Sequence, residues 1–236
     1  MIKKVLIACA VAVFFAVGFY LAAAPLLAEW CFTKAVRMEN LGYQKAATEE
    51  CEKAVRFDPL NAKYRAGMGR LYIKEGRRSR ARGAWENALK AYEEARRLSP
   101  TNARYYLGWA EAKSFFLLNM KNIPGEELAE YLDALKKAME LDPNGYYVNA
   151  FASYYMLLFR SRLDRKDLNF AIYRLRHSLD LNPRYANDIY STLANRLNSF
   201  DLLQKITPNT PAWQARLFDF MRNIDYWKYK SQEALS

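Results

Sequence analysis

Two hydrophobic patterns divide the chain. From Val5 to Ala28, after Met-Ile-Lys3-Lys4, run 24 residues without a charge. A helix of roughly 20 apolar residues crosses the hydrocarbon of a bilayer, so this run predicts a transmembrane anchor over residues 1–28. Beyond it apolar positions recur at helical spacing, and Asp-Pro, Ser-Pro or Asn-Pro interrupts them at near-regular intervals. With 9 Gly and 8 Pro in 236 residues, the scarcity of breakers favours long helices over an all-β fold, and the predicted class is all-α.

A cleaved signal peptide is the alternative reading of the N-terminus, because Lys3 and Lys4 supply a basic start and Ala22, Ala23 and Ala24 are small. The apolar run is longer than the core of about 7–15 residues such peptides carry, and Pro25 follows Ala24 where the cut would fall. A retained anchor is therefore expected. Lys3, Lys4 and the α-amine precede the run while Lys34 and Arg37 follow it, a slight basic excess on the N-terminal side that orients that end inward. This predicts a single-pass protein of a bacterial inner membrane with its body periplasmic or otherwise extracytoplasmic.

The periodic part contains an internal repeat. Four stretches share one ending: Glu52-Lys-Ala-Val-Arg-Phe-Asp-Pro59, Glu93-Glu-Ala-Arg-Arg-Leu-Ser-Pro100, Lys136-Lys-Ala-Met-Glu-Leu-Asp-Pro143 and Arg176-His-Ser-Leu-Asp-Leu-Asn-Pro183. Their prolines fall 41, 43 and 40 residues apart. The first unit also supplies Gly42, Ala47, Cys51 and Ala54; the second Met68-Gly69, Tyr72, Ala88, Tyr92 and Ala95; the third Trp109-Ala110, Leu135 and Ala138; the fourth Ala152-Ser153, Ala171, Leu175 and Ser178.

These motifs resemble the tetratricopeptide repeat, a helical hairpin of about 34 residues in which small residues let two helices approach and a proline ends the second. The resemblance implies an α-solenoid of about four hairpins, over residues 29–59, 60–100, 101–143 and 144–183, with capping helices over 184–236. Three finer expectations follow. The extra residues of each unit lie at the turn inside the hairpin, as longer helices or as a loop; in the second unit Gly76 and Gly83 both qualify as the turn glycine; and Tyr131, where a small residue is expected, keeps the helices of the third unit apart.

The chemistry points away from catalysis. The single histidine, His177, has no nucleophile or carboxylate partner at motif spacing, and no phosphate loop, serine elbow or zinc spacing occurs. No catalytic residue, cofactor or metal site is assigned. Cys31 and Cys51 fall opposite each other in the first hairpin, either as a disulfide, if the compartment is oxidising, or as two reduced core thiols.

The net charge of +11 is uneven: Leu60 to Arg82 holds +7 of it. Arg77, Arg78, Arg80 and Arg82 form a candidate patch for an anionic lipid or glycan, against the alternative of a solvated basic face. Nucleic acid is disfavoured, since no recognition module accompanies the patch.

Aromatics crowd Tyr146 to Phe159 beyond what one face can bury. Tetratricopeptide families bind extended peptides or helices on the surface lined by their first helices, which makes Lys63, Arg70, Arg104, Tyr147, Tyr154 and Leu158 the candidate partner-binding residues. The carboxylate clamp known in chaperone adaptors is a poor fit, because Gly67, Gly108 and Phe151 stand where it needs polar side chains.

The repeat endings and the tail Leu202-Leu203-Gln204-Lys205-Ile206-Thr207-Pro208 also resemble, in general texture, bacterial repeat proteins that accompany O-antigen ligase-like polysaccharide proteins. The expected function is thus a non-enzymatic, membrane-anchored scaffold for protein partners, implied by this resemblance to act in envelope or surface-polysaccharide assembly. An accessory subunit of a large membrane complex is the alternative.

Overall fold

The computed structural model describes residue 18, residues 23–197 and residues 200–223. All regular structure among them is helical, and the chain divides into two compact units, Met1–Met120 and Lys121–Ser236. The first unit holds α1 (residues 23–40), α2 (Gln44–Phe57), α3 (Ala62–Ser79), α4 (Arg82–Leu98) and α5 (Ala103–Leu118). The second holds α6 (Gly125–Leu141), α7 (Tyr146–Leu157), α8 (Arg165–Leu181), α9 (Ala186–Leu197), α10 (Phe200–Ile206) and α11 (Pro211–Asn223), with short 3-10 turns at Arg160–Arg162 and Pro183–Tyr185.

The first hairpin shows why small residues recur. Ala28, Cys31 and Ala35 of α1 meet Ala47, Cys51 and Ala54 of α2 in one core, with Phe32, Tyr64 and Leu71 filling the space towards α3. Gly42 turns the chain at φ +83°, and the Tyr43 N–H reaches back to the Met38 carbonyl at 2.9 Å, closing the end of α1 as a left-handed C-cap does. Asn61 and Asn102 cap α3 and α5 by accepting the N–H of Lys63 and Arg104, each at 3.1 Å.

The expectation of a transmembrane anchor ahead of the repeats is overturned. Among the described residues no helix is long and apolar enough to cross a membrane. Most of the expected span, Val5–Ala28, lies outside the described residues; its described end runs without a break into α1. There Ala24, Ala28, Cys31 and Ala35 form one buried stripe at spacings of four, three and four residues, and Ala24 and Ala28 are 5% and 0% exposed. Ala28 belongs to the core of the first hairpin, and Ala24 continues its stripe one helical turn earlier. The placement as a single-pass protein of a bacterial inner membrane, with a periplasmic body, falls with the anchor.

In the second hairpin the extra residues lengthen helices. Helix α3 spans 18 residues and α4 spans 17, joined by Arg80 and Ala81 alone. Neither glycine makes the turn. Gly76 lies buried inside α3, where a Cβ would stand 2.5 Å from the Trp85 ring, and Gly83 lies in α4. Arg80 turns the chain instead at φ 55°, donating its N–H to the Gly76 carbonyl at 2.8 Å. Between α5 and α6 the connection is residues 119–124, ending at Pro124 as the cap of α6.

In the second unit Tyr131 of α6 is fully buried and points towards α7, its hydroxyl donating to the Tyr155 carbonyl at 2.7 Å and its ring meeting Phe159 edge-on. Asn149 staples the turn between α6 and α7, its side-chain amide donating to the carbonyls of Asp142, Pro143 and Gly145 at 3.0–3.1 Å. Helix α9 lies against α7 and α10 against α8, so the elements after the fourth hairpin cover its apolar side.

Candidate functional site

Helix α3 carries the most organised polar feature of the first unit. Lys63, Arg70, Lys74 and Arg77 stand at i, i+7, i+11 and i+14, which confines them to an arc of about 60° on a helix of 3.6 residues per turn. Each is held by a carboxylate from a neighbouring helix. Glu29 of α1 takes Lys63 at 2.9 Å, Glu39 of α1 takes both Arg70 at 2.7 Å and Lys74 at 2.5 Å, and Glu111 of α5 takes Arg77 at 2.5 Å. The cations nonetheless keep 49–55% of their side-chain surface exposed, whereas the shared Glu39 keeps 5%.

The carboxylates are charged because they are bonded. The Lys63 ammonium and then the Tyr64 hydroxyl, which donates at 2.8 Å, hold the Glu29 carboxyl below the usual range. Burial, with the Glu29 hydrogen bond, pushes the Tyr64 phenol up. On the far side of the same hairpin Lys53 and Lys34 hold the buried Glu50 carboxyl down in the same way, at 2.8 and 2.9 Å.

Aromatic rings against bare backbone set the spacing of α3. A Cβ on Gly67 would stand 2.5 Å from the Phe32 ring, and one on Gly69 would stand 2.6 Å from one edge of the Tyr92 ring; the opposite edge of Tyr92 occupies the place of a Cβ on Gly108 of α5. Tyr92 is thus wedged between two glycines on successive first helices. Trp85 stacks on Phe115 at 4.0 Å, and the Arg96 guanidinium covers the Trp109 ring at 4.3 Å.

Of the residues singled out from the sequence, Lys63 and Arg70 share this line and Arg104 lies exposed on the first turn of α5. Tyr147, Tyr154 and Leu158 belong to the second unit, where Tyr147, Phe151 and Tyr154 recur along α7 at helical spacing and Leu158 follows as its C-cap. Tyr147 is 47% and Phe151 39% exposed, with their rings 4.5 Å apart.

The Arg-rich stretch does not act as four equivalent charges. Arg77 pairs with Glu111, and Arg82 pairs with Glu86 at 3.0 Å while lying over Phe116. Arg78 and Arg80 are exposed and make no ion pair among the described residues.

Cys31 and Cys51 are both buried free thiols. Cys51 donates to the Tyr64 carbonyl at 3.6 Å, and burial pushes its thiol up to about 12. His177 is half-buried with its ring parallel to Tyr173 at 6.4 Å, and among the described residues no group of His, Cys, Asp or Glu could hold a metal ion. The second unit also has an open cleft of about 650 Å³ walled by Arg184, Asn187, Ser191, Arg216 and Asp219 over Phe220; Arg216 is tied to the Pro183 carbonyl.

Sequence reasoning missed Lys74, the three carboxylates and the Tyr92 wedge. A signal for the carboxylates exists: Glu29 and Lys63 are 34 residues apart, Arg77 and Glu111 are 34 apart, and Glu39 and Arg70 are 31 apart. Opposite charges at matched places of successive first helices mark the pairing.

No family model matches the sequence, and no curated protein matches it. Solved structures do resemble the fold. TTC0263, a thermophilic TPR protein of Thermus thermophilus, matches with a TM-score of 0.60 at 18% identity, covering 82% of this chain and 98% of that one. Two crystal structures of MamA match with TM-scores of 0.52 and 0.51 at 16% and 18% identity, covering 87% and 83% of this chain and 93% and 96% of theirs. The architecture is that of a tetratricopeptide-repeat protein, and at these identities the likeness carries the fold alone.

Proposed function

We propose that this chain is a non-enzymatic scaffold that binds protein partners, and that the face shared by α1, α3 and α5 of the first unit is its docking surface. The observation that carries the reading is the line Lys63, Arg70, Lys74 and Arg77, held in place from behind yet about half exposed. Side chains already ordered by Glu29, Glu39 and Glu111 lose little further freedom when a partner arrives, which lowers the cost of binding. Arg104, at the start of α5, extends this surface. In the second unit the stripe Tyr147, Phe151 and Tyr154 on α7, with Leu158 at its C-cap, offers an apolar contact for the same kind of partner. An anionic lipid or glycan bound through Arg77, Arg78, Arg80 and Arg82, of which Arg77 and Arg82 pair with Glu111 and Glu86, is the alternative.

The test is site-specific photo-crosslinking in the native host. A photoreactive residue at position 66, beside the cationic line, is expected to give discrete protein adducts resolved by mass spectrometry. The same residue at position 90, exposed on α4, is expected to give none. Equal adduct patterns at the two positions, or none at position 66, would reject the docking face.

A further inference from the structure

The cations of α3 outnumber the carboxylates that hold them. Lys63, Arg70, Lys74 and Arg77 share Glu29, Glu39 and Glu111, because one buried carboxylate serves both Arg70 and Lys74. Arg78 and Arg80 follow at the same end of the helix, exposed and without an ion pair among the described residues. The one carboxylate of α3 itself, Glu75, sits about 100–160° around the helix from the line. The face therefore keeps an excess of positive charge after its internal pairs are counted, and that excess attracts an anionic partner.

The shape of the charge selects the kind of anion. From Lys63 to Arg77 the line rises about 21 Å at 1.5 Å per residue, which about six residues of extended chain cover at 3.3–3.6 Å each. It runs between two helices that supply its carboxylates, α1 on one side and α5 on the other, so it is complementary to a strand of charges and not to a plane. Arg70 and Arg77 each bond their glutamate through one terminal nitrogen, which leaves donors of the guanidinium for a second carboxylate.

We infer that the α1–α3–α5 face takes an internal acidic stretch of a partner protein, about six residues long, with its carboxylates laid along Lys63, Arg70, Lys74 and Arg77 towards Arg78. The inference rests on the protein-docking reading and adds the chemistry of the partner. Because the contacts run along the length of the helix, a free C-terminal carboxylate is not required.

The experiment uses the full chain and a fluorescein-labelled hexaglutamate peptide with an amidated C-terminus, followed by fluorescence anisotropy at low salt. Saturable binding is expected, weakened at least tenfold in Lys63→Ser/Arg77→Ser. The same loss of charge in the second unit, Arg162→Ser/Arg165→Ser, is expected to change it less than twofold.

Removing Arg70 and Lys74 alone would strand the buried Glu39 and risk misfolding. The second variant is therefore Glu39→Gln/Arg70→Ser/Lys74→Ser, also expected to bind at least tenfold more weakly, with the urea midpoint of each variant as the folding control. No saturable binding, equal weakening by the control pair, or binding only when the peptide's C-terminus is free would overturn the inference. So would phosphatidylserine vesicles that bind through Lys63 and Arg77 while hexaglutamate does not.

Excess hexaglutamate is further expected to suppress the position-66 adducts. Adducts that persist undiminished would remove the acidic chemistry and leave the docking face standing, whereas the absence of adducts removes the docking face itself.

Discussion

Tyr92 is the residue on which the geometry of the first unit turns. Its ring has Gly69 on one edge and Gly108 on the other, so it cannot shift away from a methyl group on one without driving into the other. Alanine is the better helix former by up to about 1 kcal/mol, and on propensity alone either glycine should welcome it. Overpacking a filled site costs about 1–3 kcal/mol, which outweighs that gain. Gly69→Ala and Gly108→Ala are each expected to destabilise the protein, read as a lower urea midpoint with an unchanged slope. A raised midpoint in either would mean that the ring has room. Asn149 acts at the same scale, since three carbonyls of one turn depend on its single amide group.

Among the elements, α1 ties the described N-terminal residues to the first hairpin. Among the described residues its buried stripe runs from Ala24 through Ala28 to Cys31 and Ala35; Ala28 packs in the core of the first hairpin, while Leu26 and Leu27 are exposed. A chain beginning at Ala23 keeps both buried alanines and serves as the reference. A chain beginning at Glu29 loses two buried methyl groups, worth about 1–2 kcal/mol at about 0.8 kcal/mol per buried carbon, and is expected to melt earlier in thermal unfolding. Identical melting of the two would mean that Ala24 and Ala28 contribute nothing. The lengths of α3 and α4 are an element-scale matter too, because the long α3 carries Arg77 to within reach of Glu111.

Across the whole molecule, acid sensitivity is expected to be uneven. Glu29 and Glu50, both in the first unit, have carboxyls held below the usual range by bonded lysines. Their unfolded-state values are the ordinary ones, about 4.3, so below that pH the unfolded chain takes up more protons than the folded one and stability falls as pH falls through the folded values. Above about pH 5 these groups are ionised in both states, so their stabilising contribution is fully present and does not change with pH. Hydrogen exchange at pH 3.5, referred to intrinsic rates, is expected to show lost protection across α1–α3 relative to pH 6. Glu29→Gln/Glu50→Gln is expected to flatten that difference, and an unchanged loss in the double variant would place the acid sensitivity elsewhere.

What could be read from the one-dimensional chain was whatever depends on near neighbours. The Asp-Pro and Ser-Pro endings, the glycine at 42 and the helical recurrence of alanines act over a few residues through backbone preferences and turn chemistry, and they marked the hairpins. The resemblance to tetratricopeptide repeats rested on the same local signals.

Features that depend on distant neighbours were not legible in that way. An uncharged run reads equally as a bilayer span or as the start of a buried helix until the surface it meets is known, and for Ala28 that surface is the core of the first hairpin. A charge of +7 over Leu60 to Arg82 reads as one open patch until Glu29, Glu39 and Glu111 are folded against it. Gly76 and Gly83 were equal candidates for a turn that Arg80 makes, because the ring of Trp85 claims the space beside Gly76. Burial and ion pairing bring together groups about 30 residues apart, and no local preference encodes them.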